Sequence, residues 1–326
     1  TRQNKTVKRA GFRKSAATRS AWCEMELYFL GTGAGMPSRE RNVTSIVLKL
    51  VEERGTIWMF DCGEGTQHQI LRSPIKLSRL EKVFITHLHG DHLYGLPGLL
   101  TSRSYHGGET PLVLYGPPGL RQYVEMTLAI SQARLEYPLE IKEIEEGIVF
   151  EDDQFVVEAA LLEHRIDSYG YRLTEKDQPG KLLADKLAAL GVPAGPLYAR
   201  LKKGEDVTTS DGQVLRSRDF TAPPVKGRVI VILGDTRVCD ASRRLSRDAD
   251  VLVHEATYEA GLQEQAHKYY HSTMEQAAVA ARDCGVRHLI LSHFSSRYRE
   301  EEAERLVEEL RPIMPNVYAA KDLWSF

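Results

Sequence analysis

The segment Thr86-His87-Leu88-His89-Gly90-Asp91-His92 decides the fold, because it places three histidines and one aspartate directly after an apolar strand predicted over 82–86. Imidazole nitrogens and carboxylate oxygens are ligands that zinc and similar divalent metals accept. If these side chains converge in a partly buried turn, their desolvation and mutual proximity are unfavourable unless a divalent cation binds them. The segment therefore predicts a metal site at the end of a strand.

The sequence on both sides of this segment alternates short apolar runs with turn residues. Further strands are predicted over 26–30, 45–50, 56–60, 112–115, 141–144, 154–162, 228–233, 250–253 and 287–291. Helices are predicted over 66–71, after His92, over 120–129 and over 299–309. This order favours a layered sandwich in which two sheets are covered by helices.

Polar residues stand at the ends of several predicted strands. His164 ends the run 156–164, Asp235 follows the strand 228–233, His254 follows 250–253, and His293 follows 287–291. Each of these residues alone is weak support for a site, since a polar residue at a strand end is usually a surface residue. The sequence therefore places polar residues at the carboxyl ends of several strands.

Composition excludes several classes of protein. The 326 residues include 43 Lys and Arg, 45 Asp and Glu, and four cysteines at positions 23, 62, 239 and 284. The cysteines lack the paired short spacing of a disulfide-rich domain, and such sparse thiols indicate a reducing cytoplasm. Apolar runs such as 229–233 are far shorter than the roughly 20 residues that cross a bilayer, so no membrane span is predicted.

The charge is distributed unevenly along the chain. Residues 1–24 hold seven basic residues and one acid, so residues 25–326 carry a net charge of −8. Residues 1–24 lack the apolar core of a secretory signal, and we interpret them as a tag or disordered leader, with an amphipathic transit peptide as the alternative. Residues 25–326 are predicted to form one domain.

An insertion interrupts the alternation of strands and helices at about 174–224. Turn residues are dense there, as in Pro179-Gly180 and Pro223-Pro224, and one helix is predicted over 182–190. Insertions of this length in compact domains are usually functional or disordered. We interpret this one as a projecting arm outside the core.

The string His87-Leu-His-Gly-Asp-His92 resembles the His-x-His-x-Asp-His signature of the metallo-β-lactamase superfamily. That resemblance implies an α+β fold, a four-layer αββα sandwich with two metal ions at one edge. It implies His87, His89 and His164 as ligands of one ion, and Asp91, His92 and His293 as ligands of the other, with Asp235 bridging them. Zinc is the expected metal and manganese the alternative, because imidazole and carboxylate ligands accept both.

Further motifs are similar to those of the ribonuclease Z family, the tRNA 3′-processing endonucleases, over 25–322. They are Leu30-Gly-Thr-Gly-Ala-Gly-Met-Pro37, Asp61-Cys-Gly-Glu-Gly-Thr66, His254-Glu-Ala-Thr257, His271-Ser-Thr273 and Leu291-Ser-His-Phe-Ser-Ser-Arg-Tyr298. The resemblance implies a homodimeric endoribonuclease that removes the 3′ trailer from precursor tRNA after the discriminator nucleotide. It would leave a 3′-hydroxyl on the tRNA and a 5′-phosphate on the trailer.

The same resemblance implies where the tRNA binds. The loop Pro37–Asn42 is similar to a loop that discriminates the 3′ terminus of tRNA, with Arg39 where that pattern usually has Lys. The tip 191–204 of the insertion resembles the arm with which the family grips tRNA. The predicted substrate-binding residues are Arg39, Arg41, Asn42, Arg200, Lys202, Lys203 and Arg297.

Roles in catalysis follow from the chemistry of a two-metal phosphodiesterase. Asp91 is predicted as the base, while His271, supported by Glu255, is the hypothetical acid that protonates the departing 3′ oxygen. Asp61 is expected to orient the ligand segment. No nucleotide cofactor is predicted, because Gly31-Thr-Gly-Ala-Gly35 matches neither phosphate-binding glycine pattern and indicates a tight turn beside the metal site.

Three alternatives stay open at this point. The first is another hydrolase of the same fold that acts on a small phosphodiester or a sulfate ester, which the arm and the segments 254–257 and 271–273 oppose. The second is a redox di-iron protein, in which a Glu generally stands at the position of His89. The third is a non-catalytic RNA-binding protein without metals, which the complete ligand set opposes.

Overall fold

The computed structural model describes residues 25–210 and 212–326, which form two seven-stranded sheets packed face to face. The prediction for residues 1–24 lies outside the described residues. In spatial order, the first sheet contains Trp324–Ser325, Glu26–Gly31, Ser45–Leu50, Thr56–Phe60, Leu80–Phe84, Leu112–Gly116 and Leu139–Glu143. The second contains Val317–Ala319, His288–Ser292, Val251–Glu255, Val229–Leu233, Ser168–Glu175, Phe155–Leu162 and Gly147–Glu151.

Helices cover the outer face of each sheet. Those of the first half are Val51–Arg54, Thr66–Leu71, Gly90–Leu93, Leu96–Tyr105 and Leu120–Ile130, with a 3₁₀ turn at Leu77–Arg79. Those of the second half are Asp240–Ser246, Gln263–Tyr269, Met274–Asp283 and Glu300–Glu308. The four-layer αββα sandwich of the metallo-β-lactamase fold is therefore confirmed, as helix, sheet, sheet and helix layers.

The strand Val229–Leu233 shows why these residues form a central strand. All five are buried: Ile230 and Ile232 point into the space between the sheets, while Val231 faces the helices outside. A strand covered on both faces needs an unbroken apolar run, which is the pattern that the sequence shows. Val251–Glu255 pairs parallel with it and His288–Ser292 pairs parallel with Val251–Glu255, so the carboxyl ends of the three strands meet at one edge.

An aromatic cluster fills the centre of the sandwich. The ring of Phe84 lies 5.1 Å from Phe60 and 4.8 Å from Tyr115, measured between centroids, and 5.2 Å from Tyr171 of the opposite sheet. All four side chains are at most 2% exposed. The cluster therefore joins the two sheets directly beneath the segment that follows Phe84.

The central strand Ser168–Glu175 was not predicted from the sequence. Gly170 in its middle is a residue that usually weakens a strand. Here a Cβ atom at Gly170 would lie 2.6 Å from a methyl carbon of Leu233 and 2.7 Å from one of Leu245, so only glycine fits between the neighbouring strand and the covering helix. The short strands Gly147–Glu151, Val317–Ala319 and Trp324–Ser325 were also missed; the last pairs with Glu26–Gly31, almost 300 residues away.

The insertion has an ordered structure with a small apolar centre of its own. It contains the helices Ala184–Ala189, Pro196–Lys202 and Ser217–Phe220 and a hairpin of Val207–Thr208 with Val214–Leu215. Its buried residues are Leu187, Val192, Leu201, Val207 and Leu215. The strand that precedes it ends at Glu175, so the first two residues of the predicted range 174–224 belong to the sheet.

Within the described part of the chain, no helix has the length and apolarity needed to span a bilayer.

We expect Phe84→Ala to reduce the free energy of unfolding by about 3–5 kcal/mol, since it removes a fully buried ring from a close-packed cluster. Urea denaturation followed by circular dichroism measures this as a lower midpoint. The matched control is Ile130→Ala, whose side chain is 77% exposed and whose loss should change stability by less than about 0.5 kcal/mol. Equal midpoints for the two variants would contradict the central role of the cluster.

Candidate metal centre

All seven predicted ligand residues lie together where the carboxyl ends of strands from both sheets meet. The ligand segment follows Leu80–Phe84, and Asp235 and His293 follow two parallel strands of the second sheet. Their potential ligand atoms form two groups, and within each group the atoms lie within 4.8 Å of one another. The first group consists of His87, His89, His164 and Asp235, and the second of Asp91, His92, Asp235 and His293. Asp235 belongs to both groups.

The second group has the more regular geometry. His92 Nε2 lies 3.2 Å from His293 Nε2, and Asp235 Oδ1 lies 3.4 Å from the former and 3.3 Å from the latter. Asp91 Oδ2 lies 3.5 Å from His92 Nε2 and 3.3 Å from His293 Nε2. Neighbouring ligands of a tetrahedral ion bound at about 2.0–2.1 Å are about 3.3 Å apart. The donor atoms therefore fit a tetrahedral metal ion.

The first group is slightly wider. His89 Nδ1 lies 3.1 Å from His87 Nε2 and 3.2 Å from His164 Nε2. Asp235 Oδ2 is 3.7 Å from His87 Nε2 and 4.0 Å from His164 Nε2. Because Oδ1 of the same carboxylate faces the second group, Asp235 has the position of a bridge between two cations.

Hydrogen bonds to the other ring nitrogens assign the tautomers in the first group. His164 Nδ1 donates to the backbone carbonyl of Tyr270 at 3.0 Å, so this nitrogen carries the proton. The Thr86 hydroxyl donates to Asp61 at 2.8 Å and is therefore the acceptor for His87 Nδ1 at 3.0 Å. In both imidazoles the Nε2 atom is left with a lone pair directed at the site.

The second group follows the same logic. His92 Nδ1 donates to Asp61 Oδ2 at 2.7 Å. The Thr257 hydroxyl donates to Glu255 at 2.8 Å and accepts from His293 Nδ1 at 3.0 Å. The two Nε2 lone pairs then face each other across 3.2 Å, an arrangement that is repulsive unless a cation lies between them. The residues present therefore fit bound metal.

Electrostatics also favour positive charge in the site. Burial opposes ionisation of Asp235, but the surrounding imidazoles of His293, His92 and His87 keep its pKa well below the ordinary value. Burial likewise opposes charge on His92, yet Asp235, Asp61 and Asp91 raise its pKa well above the usual range. The carboxylates thus outweigh desolvation, so a cation at this point is stabilised.

Asp61 holds the ligand segment in place, as predicted for an orienting residue. Its Oδ1 accepts the backbone N–H of Thr86 at 2.7 Å, and its Oδ2 accepts the Thr86 hydroxyl and His92 Nδ1. The residue has φ of 57°, a left-handed conformation that aspartate and asparagine tolerate better than most residues. The glycine turn lies beside the site as expected, with Gly35 N–H donating to Asp91 Oδ2 at 2.7 Å.

His271 and Glu255 lie beside the metal-ligand groups. Glu255 Oε1 accepts from His271 Nδ1 at 3.0 Å and from the backbone N–H of Ser272 at 2.9 Å. Burial disfavours the charged imidazole, but Glu255 outweighs burial and raises the pKa of His271 to about 9. His271 Nε2 makes no hydrogen bond within the described residues, so it is available to a ligand at the opening of the site.

The predicted substrate-binding residues differ in their exposure. Arg39, Arg200, Lys202, Lys203 and Arg297 are exposed. The prediction that Arg41 contacts substrate is not supported, because the side chain is 3% exposed, donates to Thr32 Oγ1 and the carbonyl of Ala320, and lies 4.5 Å above the ring of Phe294. We assign Arg41 to the support of its loop.

Sequence reasoning missed Asp322, which holds the loop Pro37–Asn42 from the C-terminal segment. Its carboxylate accepts the Asn42 N–H at 2.6 Å, the Thr32 hydroxyl at 2.8 Å and the Gln69 amide at 2.8 Å. The Asn42 side chain is also engaged, donating to the carbonyl of Glu64 at 2.9 Å. No local pattern around Asp322 indicates this role, since its partners are more than 250 residues away in sequence.

Known proteins are similar to this chain over most of its length. A sequence model of the family described as anti-Pycsar protein Apyc1 matches residues 25–177. "Ribonuclease Z" of Anoxybacillus flavithermus is 57% identical over 302 residues, which cover 93% of this chain and 97% of the relative. The crystal structure of human tRNase Z, short form, superposes with a TM-score of 0.66 at 32% identity, covering 93% of this chain and 98% of that one.

A more distant solved structure shares the fold alone. The metallo-β-lactamase fold protein YhfI from Bacillus subtilis superposes with a TM-score of 0.64 at 15% identity, covering 93% of this chain and 98% of that chain.

We expect Asp61→Asn to weaken metal binding about 10–100-fold, because the amide cannot accept all three hydrogen bonds that orient Thr86 and His92. Asparagine is chosen because it tolerates the left-handed backbone at this position. Affinity is measured by competition with a chromophoric chelator. The matched control is Asp250→Asn, a carboxylate that binds Val229 N–H at the opposite end of its strand and should leave metal affinity unchanged. Equal affinities in the two variants would remove the orienting role of Asp61.

Proposed function

The chain belongs to the ribonuclease Z family, and on this premise we propose that its metal centre carries out the reaction of that family on precursor tRNA. The chain removes the 3′ trailer by hydrolysis after the discriminator nucleotide, leaving a 3′-hydroxyl and a 5′-phosphate. The observation that carries the proposal is the pairing of a complete set of converging donor atoms with 57% identity across 93% of the chain. A small phosphodiester or sulfate ester as the natural substrate is not favoured.

The centre is proposed to hold two divalent ions, zinc first and manganese as the alternative. His87, His89 and His164 would hold one ion, Asp91, His92 and His293 the other, and Asp235 both. Such ions lower the pKa of water toward neutrality and neutralise charge on the phosphate under attack. Support comes from the spacing of the donor atoms and from the lone pairs that their hydrogen-bond partners leave directed at the site.

Asp91 is proposed to accept the proton of the attacking water. Its Oδ2 is oriented by the Gly35 N–H at 2.7 Å, so the carboxylate is fixed on the side of the glycine turn. His293 and His92 lie within 3.5 Å of the same oxygen and keep the pKa of Asp91 below its ordinary value despite burial. The residue is therefore ionised at neutral pH.

His271 is proposed to give a proton to the departing 3′ oxygen. Water forms a new bond to phosphorus, the bond from phosphorus to the 3′ oxygen breaks, and the proton on Nε2 moves to that oxygen. Glu255 holds Nδ1 at 3.0 Å and stabilises the protonated imidazole before the transfer. Because Thr257 and Ser272 satisfy the remaining bonds of Glu255, its carboxylate cannot turn away.

The insertion is proposed to bind the body of the tRNA. Lys202 and Lys203 are exposed on the helix Pro196–Lys202 and just after it, and neither has a carboxylate within 4.0 Å in the described ranges. Arg200 pairs with Glu205 at 2.8 Å on the same surface. The arm has its own apolar centre, so it can present these cations to phosphates at a fixed geometry.

A homodimer is proposed, with its interface beside the mouth of the site. Two large apolar side chains are exposed there: Met36 by 61% and Tyr94 by 65%. Met36 follows the glycine turn and Tyr94 follows the ligand segment, so the surface borders the metal centre. Apolar exposure of this kind is typical of an interaction surface.

A location in the cytoplasm is proposed from the cysteines. Cys62, Cys239 and Cys284 are free thiols in the described chain, and the first two are buried. Unpaired buried thiols are typical of proteins that work in a reducing compartment.

We expect the metal-loaded protein to cut a 3′-extended tRNA precursor once, after the discriminator, and His271→Ala to lower kcat about 10²–10⁴-fold. Mapping of both product ends measures the site of the cut. A substrate with sulfur in place of the bridging 3′ oxygen should recover most of the loss, since a thiolate leaves without a proton.

The matched control is His106→Ala, an exposed histidine at the end of another helix, which should retain the parent rate. A variant that retains metal but is equally slow on both substrates would contradict the role of His271 as the acid. Absence of any cut by loaded protein would contradict the substrate.

We expect the arm of one subunit to bind the tRNA that the metal centre of the partner subunit cuts. One variant carries Asp91→Ala, and the second carries Arg200→Ala, Lys202→Ala and Lys203→Ala. A homodimer of either variant should be nearly inactive. Co-expression at equal amounts should restore about a quarter of the parent rate, because about half of the dimers are mixed and each contains one complete pair of arm and site. No recovery in purified mixed dimers would mean that each arm serves its own subunit.

A further inference from the structure

An exposed tyrosine with two cations against its ring lies two residues before His271 in the chain. Tyr269 ends the helix Gln263–Tyr269, and its side chain is 40% exposed. The Arg165 guanidinium lies 5.1 Å from the centroid of this ring, and the Lys268 ammonium lies 5.6 Å from it. We call these three residues the tyrosine rim.

The rim is joined to the site through short stretches of chain. Arg165 directly follows His164, and Tyr269 precedes His271 by two residues. The centroids of the His164 and His271 rings are 5.2 Å apart. The backbone carbonyl of Tyr270 accepts a hydrogen bond from His164 Nδ1. Arg165 and Tyr269 therefore lie within two residues of the two histidines that border the site.

The support beneath the rim is rigid. Tyr270 has φ of 63°, and its ring packs 3.8 Å from the guanidinium of Arg237. The same guanidinium donates through Nε to the carbonyl of His267 at 2.8 Å, which fixes the end of the helix. Tyr270 is thus occupied in holding the turn, whereas the Tyr269 side chain, contacted by the two cations, keeps 40% of its surface exposed.

The charge of the rim is opposite to that of the surrounding molecule. Residues 25–326 carry a net charge of −8, yet neither Arg165 nor Lys268 has a carboxylate within 4.0 Å among the residues that the structure describes. Exposed cations that flank an exposed aromatic ring are the arrangement with which proteins bind single-stranded nucleic acid, the ring stacking on a base and the cations contacting phosphates.

The position of the proton donor determines which nucleotide reaches the rim. The oxygen that leaves phosphorus is the 3′ oxygen of the discriminator nucleotide, so His271 must lie next to that nucleotide. Gly35 donates to Asp91 and the loop Pro37–Asn42 follows it in the chain, so we expect the trailer to begin on the side of Asp91. The rim is adjacent to His271 and therefore lies on the tRNA side of the cut.

We propose that Tyr269 stacks on the unpaired discriminator base of precursor tRNA, and that Arg165 and Lys268 bind the phosphates next to it. This inference rests on the function proposed above. The discriminator is the one base on the tRNA side of the cut that is free of pairing, so it can turn onto a protein ring at little energetic loss. Stacking tolerates any base, so the rim would position the cut without requiring one sequence.

The test compares two precursor tRNAs, one intact and one with an abasic discriminator, each cut by the parent protein and by Tyr269→Ala. We expect Tyr269→Ala to lower kcat/KM about tenfold on the intact substrate. On the abasic substrate the two proteins should differ by less than about twofold, because no base remains to stack. Tyr269→Trp should recover most of the loss on the intact substrate, since indole also stacks.

The matched control is Tyr105→Ala, a tyrosine that is 90% exposed at the far end of the helix Leu96–Tyr105 and should match the parent on both substrates. Equal losses on the intact and abasic substrates, or no loss on either, would overturn the role of Tyr269. In those outcomes the parent still cuts the intact precursor, so the proposed function stands. Failure of the parent to cut any precursor would instead overturn the function itself.

Discussion

The carboxylate of Asp61 is the constraint on which the metal centre depends. It accepts the Thr86 N–H at 2.7 Å, the Thr86 hydroxyl at 2.8 Å and the His92 Nδ1 proton at 2.7 Å. The first bond fixes the backbone where the ligand segment leaves the sheet, and the others fix the rings of His87 and His92 through their tautomers. One buried anion on a strand end thus sets the direction of donor atoms in both metal groups.

The remaining supports come from parts of the chain that are distant in sequence. Thr257 and Glu255 fix the ring of His293, while the carbonyl of Tyr270 fixes that of His164. Each support lies just beyond the carboxyl end of a strand or in the turn before a helix. The apolar strands stabilise the sandwich, whereas the polar atoms at one edge set the spacing of the ligand atoms. The stability of the fold and the geometry of the site thus depend on different residues.

The sequence predicted which histidines and aspartates come together, but not all of the residues that surround them, for physical reasons. The segment 86–92 is local, and its crowding of His and Asp has few explanations other than metal. The strand Ser168–Glu175 was missed because the close approach of Leu233 and Leu245, which requires Gly170, exists only in three dimensions. Arg41 was predicted as a substrate contact from the resemblance of the loop Pro37–Asn42, whereas here it lies against Phe294 and donates to the carbonyl of Ala320, contacts that the local sequence does not reveal.

The charge of the molecule explains how an acidic body can bind RNA. Binding energy comes from local cations, and it is greatest where they are not neutralised by nearby carboxylates. The described chain has such cations on the arm, at Lys202 and Lys203, and on the tyrosine rim, at Arg165 and Lys268. Most other exposed cations on the helices pair with neighbouring acids, as Arg305 does with Glu309. The arm and the tyrosine rim are therefore the two surfaces at which we expect the RNA phosphates to be held.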